Sequence, residues 1–425
     1  MAAKPYMTSD DLVASVQRKV SMPLSQSTFT YSDILAFANE EMFSTQVPAV
    51  MEFHEEYFVF YDVVPIVPGV QRYTIPTRAI GMKLRDVKWQ DLNGNLFDMS
   101  RVNPEDKAFY QLNIGTSETI SKYYIEGNDL VLLPALTITT SLNLFFYYFL
   151  RPNQLVSNAR AATITSFINT ITTINASIVP NDTVTINGVV FTAVSSSPGP
   201  NQFLIGASDI ESATNLTSAI NTNGIAVASN GTPSTATVTI NFTSLKSSQA
   251  VSTSNSAGFL IPTSKQIIQF DQVPSSYLDP ITFQTSPLYV SGATVDFLQT
   301  NPGHRTYALD VSIPTNGISG NTISFNINDV PMNIIIGDYI CLSNECIIPQ
   351  IPPDLHTSLA QRTASMILAA IGDQQGLQAS VAKVQEMEKK QITLLDARVE
   401  GSALKIANKK SLLRFQGFGS RRRRL

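Results

Sequence analysis

The 425-residue chain has the length of about three average domains. Only 15% of its residues are charged, against roughly 25% in ordinary soluble proteins. Yet 43% are hydrophobic and 9% aromatic, which excludes general disorder and supplies a core. The formal net charge of −4 names no partner by itself. Two cysteines exclude a disulfide framework, and three scattered histidines (His54, His304, His356) leave little for a zinc site. The strongest apolar run, 144–150, is far short of the roughly 20 residues of a membrane span. Lys4, Asp10 and Asp11 occupy the N-terminal stretch without an apolar run, so no secretory signal is read and synthesis in a reducing cytoplasm is expected.

In chain order, Thr8 is placed to cap a helix over 10–20, with acids at its positive end. A second helix starts near Thr30, with Ile34, Leu35, Ala38 and Met42 on one face and an interruption or kink at Pro48. The period then changes to two. Strands are predicted over 57–64, 71–75, 83–90, 122–126, 130–133 and 142–149. Gly127-Asn128-Asp129 and Asn93-Gly94 mark turns, and 104–112 reads as a short helix. From about 161 to 265 the chain is rich in Thr, Ser and Asn and carries five charges. Strand alternation persists there, with a hairpin around Asn187-Gly188 and a strand over 235–242. Ser208 to Glu211 reads as a capping box, followed by a helix presenting Ile210, Ala213, Leu216 and Ile220. Strands over 294–298, 306–313, 322–327 and 333–340 follow. A proline-broken connector over 347–353 leads to a helix capped by Asp354, with Leu355, Leu359, Ile367 and Ile371 at helical spacing. Gly372 to Gly376 breaks it. A longer helix from Leu377 places Val381, Val384, Met387, Leu395 and Val399 on one side.

The fold class read from this order is α+β: helical N- and C-terminal segments around an antiparallel β-sandwich or barrel, with an inserted β-rich domain. The predicted divisions are 1–160 (core: N-terminal helices plus antiparallel strands), 161–265 (inserted Thr/Ser/Asn-rich β domain), 266–353 (return to the β-rich core) and 354–425 (C-terminal helices and basic arm). Their net charges are −4, −1, −7 over 266–355, and +8 over 356–425. Beyond Gly401 stand eight basic residues and no acid: Lys405, Lys409, Lys410, Arg414, Arg421, Arg422, Arg423 and Arg424. A cationic stretch of this kind suits nucleic acid or an acidic protein surface.

The catalytic patterns of phosphate loops, dinucleotide folds and serine hydrolases do not occur. Glu52-Phe53-His54-Glu55-Glu56 lacks the second histidine of a zinc helix and reads as the solvated end of an amphipathic helix. Cys341 and Cys346 read as free thiols. Asp310, Asp329 and Asp338 lack calcium-loop spacing and read as acidic loop residues. The aromatic run 57–61 has acidic rather than basic neighbours, which favours core or interface packing over base stacking. The insert's three carboxylates, Asp182, Asp209 and Glu211, give no glycosidase pair. No catalytic, metal or cofactor residue is assigned, and no enzyme activity is expected.

The stretch from Tyr123 to Pro134, followed by Leu144 to Arg151-Pro152-Asn153-Gln154-Leu155-Val156, Gly337-Asp338-Tyr339-Ile340, Ile351-Pro352-Pro353-Asp354-Leu355-His356 and the helix through Ala370-Ile371-Gly372-Asp373, resembles the head-to-tail adaptor (connector, neck) proteins of tailed bacteriophages. The resemblance covers about 1–160 and 290–415. Residues 175–262 are similar to a small β-rich module common in phage virion proteins, on Val184 to Gly188, Phe191 to Ala193, Phe203 to Gly206 and 213–221. Ordinary adaptors lack so long an insertion. The resemblance implies a non-enzymatic virion protein at the head–tail interface, forming a homo-oligomeric ring, usually of twelve copies. Its implied partners are the portal protein, a tail or nozzle protein and packaged DNA in the channel, with no membrane. The arm from Lys405 to Leu425 would dock on the portal. The alternative function is a tail- or fibre-associated module whose inserted domain contacts a host surface glycan.

Overall fold

The computed structural model describes residues 6–21, 28–106, 122–133, 142–242, 251–262, 265–278, 285–300 and 306–394. Over these residues the protein is a mixed α+β structure, with helices near the N- and C-terminal ends flanking a multi-stranded β core. Its α-helices are α1 (Ser9–Val20), α2 (Tyr31–Glu41), α3 (Val47–Phe53), α4 (Asp209–Asn223), α5 (His356–Ile371) and α6 (Gln374–Leu394).

Helices α1 and α2 begin on the same device. The hydroxyls of Thr8 and Thr30 accept from the backbone N–H of Asp11 and Asp33, whose carboxylates accept from the two threonine N–H groups. Orphan donors at the helix start are satisfied and acid meets the positive end. One turn on, Leu12, Val13 and Val16 meet Ile34, Leu35, Ala38 and Met42, and both rows bury against Leu355, Leu359, Ala364 and Ile367. The expected interruption at Pro48 is a single wide turn instead. A π segment, Met42–Gln46, lies between α2 and α3, with Pro48 in the first turn of α3. Proline lacks the N–H that would bond four residues back, and the wider turn accommodates that loss without breaking the helical path.

Asp354 does not cap α5. It sits inside a 3-10 turn, Pro353–Leu355, and Leu355 takes the cap position without a side-chain bond. That turn draws Asp354 into helical backbone before α5 starts, so its carboxylate is not at the cap. Gly372 closes α5 as expected, at φ +82°. Ile371 is exposed because the buried stripe ends at Leu368.

Two four-stranded sheets follow α3. The first runs Val59–Ile66, Leu142–Leu150, Ala79–Gln90, Leu96–Asp98, all antiparallel. The second runs Arg72–Thr74, Asp129–Leu133, Lys122–Glu126, Ser100–Arg101, with a parallel pairing at the last step. Phe146, Tyr148, Val87 and Trp89 of the first share a core with Tyr73, Tyr123, Leu130 and Leu132 of the second. The short 3-10 turn Pro104–Asp106 is the described part of the helix expected over 104–112; residues 107–112 lie outside the described residues.

The Ala162–Thr173 strand organises the rest. Its start pairs with Tyr339 and Ile340, its middle with Lys265–Phe270, and its far half with Thr237–Phe242 and Phe259–Leu260. Residues 161–265 and 266–340 therefore contribute to one ten-stranded sheet and one hydrophobic cluster, including Phe167, Phe242, Phe270, Phe297 and Phe325. A smaller four-stranded sheet holds the hairpin of Thr183–Ile186 and Val189–Val194, whose Asn187 and Gly188 both have positive φ. Helix α4 buries Ala213, Leu216 and Ile220 in the same cluster. Ile210, expected on that face, is 47% exposed; the buried stripe is completed by Ser212 and Thr217. Ser208 caps α4 as expected, but the Glu211 carboxylate accepts from Ala207 N (2.7 Å) rather than from the cap residue's own N–H.

Candidate functional site

The eight basic residues assigned to the arm (Lys405, Lys409, Lys410, Arg414 and Arg421 to Arg424) lie outside the described residues, as do Leu395 and Val399. The last described element before them in the chain is α6. That helix, about 30 Å long at 1.5 Å per residue, is seated along one side. Ser380 accepts from Gln361 Nε2 (2.8 Å) and bonds the Ser365 hydroxyl (2.7 Å). Arg362 of α5 bridges Glu41 of α2 (2.9 Å) and Glu388 of α6. Lys19 of α1 donates to Gln361 (2.9 Å); burial, and then repulsion from Lys383 and Arg18, pushes its amine below the usual lysine range. Val384 and Met387 are half-buried on this side, whereas Val381, expected with them, is exposed. On the outer side Lys383 and Lys390 flank Glu386 at 2.8 and 2.7 Å and hold its carboxyl near 2.

His356 closes the helical layer onto the connector. Its Nδ1 accepts from Met7 N (3.1 Å), which assigns the ring proton to Nε2, facing the carbonyls of Pro349 (3.1 Å) and Ile351 (3.2 Å). Burial pushes the imidazole down to about 4, so it is neutral at physiological pH.

A buried polar junction ties the two β regions together. Arg78, 7% exposed, forks onto the fully buried Asp296 carboxylate at 2.9 and 2.8 Å and also donates to Asn153. Asp296 further accepts from Asn153 Nδ2 (2.8 Å), Asp310 N (3.0 Å) and Asn344 N (3.2 Å). With its oxygens occupied in this way, Asp296 is a structural anion rather than a free base. Nearby, Arg160 forks onto Glu345 and lies 4.7 Å from the Tyr277 ring centre.

The aromatic run 57–61 is buried only in part. Phe58 is buried in the helical layer, while Tyr61 is 53% exposed on the outer face of the first sheet, 6.0 Å from Phe145 and 5.9 Å from Tyr147. Lys88 stands 5.9 Å from Tyr147 and bonds Asp98 at 2.8 Å, which raises its pKa.

No trio of His, Cys, Asp and Glu side chains suited to a metal occurs among the described residues. Asp338 accepts from Thr300 and from Ile335 N, Asp329 from Asn326, and Asp310 lies 3.7 Å from Arg78, so the three acids serve separate places; Asp310 is in the Thr306–Ser312 strand rather than a loop. Glu56 faces Arg85 at 3.7 Å. Cys341 and Cys346 are free and buried, and burial pushes both thiols well above their ordinary value. Among the described residues no helix is long and apolar enough to cross a membrane.

Two features were not anticipated from sequence. The Arg78 junction joins residues 75 and 218 positions apart, a separation that leaves no local pattern. The second is an open groove of about 600 Å³ between the 198–201 turn with the Gln202–Leu204 strand and the second half of α4. The Pro-Gly-Pro-Asn-Gln run over 198–202 marks a turn, but nothing in it points to the α4 residues opposite.

No protein-family model matches the chain, and no curated protein matches it. Among solved structures it aligns with the D1-D2-D3 domains of the flagellar cap protein FliD from Escherichia coli. The identity is 8%, the alignment covers 89% of this chain and 75% of that chain, and the TM-score is 0.16. A likeness at that score carries no argument about fold or function.

Proposed function

We propose that this chain is a non-enzymatic structural protein of a tailed-bacteriophage virion, a head-to-tail adaptor that forms a ring, of twelve copies, between portal and tail. The observation that carries the reading is charge polarity along the chain. Net −7 over 266–355 is followed by +8 over 356–425, and eight of those basic residues stand beyond Gly401. A part that joins two unlike surfaces benefits from such polarity, because opposite fields steer each end to a different partner. Support also comes from α6, which precedes the arm in the chain and is held by α5 along one side, α5 being tied in turn to Glu41 of α2. In this reading the two four-stranded sheets sharing a core are a sandwich, antiparallel but for the short Ser100–Arg101 edge, and 161–265 is an insertion in the adaptor core. The exposed Tyr61 face is a contact to a neighbouring ring subunit or tail component. The arm (Lys405, Lys409, Lys410, Arg414, Arg421 to Arg424) docks on the portal and lines the DNA channel. The protein would be made in the host cytoplasm and reside in the virion neck.

Deleting residues 405–425 tests this. The truncated chain should keep its far-UV dichroism and urea midpoint but lose co-sedimentation with portal particles. Undiminished incorporation into virions by the truncated chain would overturn the docking role. Mass measurement of the full chain alone and with portal should give a fixed-ratio complex only in the second case.

A further inference from the structure

We propose that the groove between the 198–201 turn with the Gln202–Leu204 strand and the second half of α4 is a binding site for a neutral oligosaccharide. The inference stands on its own observations and would survive failure of the adaptor reading, since the groove belongs to 161–265 and not to the helical layer or the arm.

Its volume of about 600 Å³ lies inside the roughly 300–1,000 Å³ range of small-ligand sites. None of its lining residues is charged: the walls combine amides, hydroxyls and backbone with the apolar side chains of Pro198, Pro200, Phe203, Leu204 and Ala219. The charges of α4, Asp209 and Glu211, stand in its first turn, away from the lining positions at 215–223. The walls are held in place by their own bonds. Gln202 Oε1 accepts from Gly199 N (2.8 Å), Asn215 Nδ2 donates to Leu204 O (3.0 Å), and Asn223 Nδ2 donates to Asn201 Oδ1 (2.7 Å). Each of these bonds uses one end of an amide. The amino groups of Gln202 and Asn201 and the amide oxygens of Asn215 and Asn223 have no hydrogen-bond partner among the described residues. The site therefore offers fixed donors and acceptors together.

Elimination then favours one ligand class. An anion or cation would give up hydration without meeting a countercharge. A purely apolar ligand would cover amide groups and leave them unpaired. A sugar hydroxyl both donates and accepts, which matches amides of both polarities. The C–H face of a pyranose can lie on the Pro198 and Pro200 rings without desolvating a charge.

The test applies the full chain to an array carrying neutral hexose and N-acetylhexosamine oligosaccharides beside sialylated and uronate-bearing ones, with calorimetric titration of each glycan bound. Neutral glycans should bind. Gln202→Ala and Asn223→Ala should each weaken binding by about tenfold. Ser218→Trp, which fills the groove from an exposed position, should abolish binding while leaving the far-UV dichroism and thermal midpoint unchanged. The proposal is overturned if no neutral glycan binds, if acidic glycans are preferred, or if a bound glycan keeps its affinity in both amide variants.

Discussion

Acidification should loosen the protein at one identifiable seam, where His356 holds the connector against the start of α1. The folded imidazole titrates at about 4, against an ordinary value of 6.5. Below pH 6.5 the unfolded chain therefore binds a proton that the folded chain refuses until about pH 4. Stability is whole above 6.5 and falls as pH drops across that window. At about pH 4.5 the loss from this residue alone amounts to about 2.5 kcal/mol by proton linkage from those two values. The cause is geometric. A protonated ring would present Nδ1–H to the Met7 N–H, setting donor against donor in a site 1% exposed. His356→Gln keeps an acceptor and a donor but does not titrate. Urea unfolding at about pH 7 and about pH 4.5 would be compared for both proteins. Carboxylates contribute to acid sensitivity in each and cancel in the difference. Wild type should lose about 2.5 kcal/mol more than the variant. Equal losses in the two proteins would refute the assignment of a buried neutral histidine.

Asp296→Ala should destabilise by about 3–5 kcal/mol in urea unfolding, because the buried Arg78 would lose its forked partner, keeping only the half-exposed Asp310 carboxylate at 3.7 Å, and three further donors would lose their acceptor. A cost below about 1 kcal/mol would mean that Arg78 reaches water and that the junction is not a sealed ion pair. Ellman's reagent should find no reactive thiol in the folded chain and two after denaturation, because Cys341 and Cys346 are buried and hard to ionise. No thiol after denaturation would reveal a disulfide.

Local chemistry was legible in the sequence wherever a few neighbouring residues decide the outcome. Thr8 and Thr30, each with an aspartate three residues on, announce their helices because the capping bonds close within one turn. Asn187-Gly188 announces its hairpin because both residues tolerate positive φ. What stayed hidden is set by neighbours distant in the chain. Ile210 and Ile371 fit an amphipathic stripe by spacing, but the partners that would bury them end a turn short. Asp354 has the chemistry of a cap, and a 3-10 turn moves the helix start past it. The π segment before Pro48 has no residue signature beyond the proline itself. The groove wall could not be foreseen because Asn201 meets Asn223 across 22 positions.

The Ala162–Thr173 strand has a mechanical consequence. Twelve residues at about 3.3 Å per residue span about 40 Å. Tension along that axis, applied between the Tyr339–Leu342 end and the Thr237–Phe242 end, runs parallel to the strand and perpendicular to its antiparallel hydrogen bonds. Such a load shears several rungs at once rather than peeling them one by one. The strand is therefore a tie-rod, stiff under pull between the 266–353 part of the β core and the Thr/Ser-rich region, and its failure under force would be abrupt.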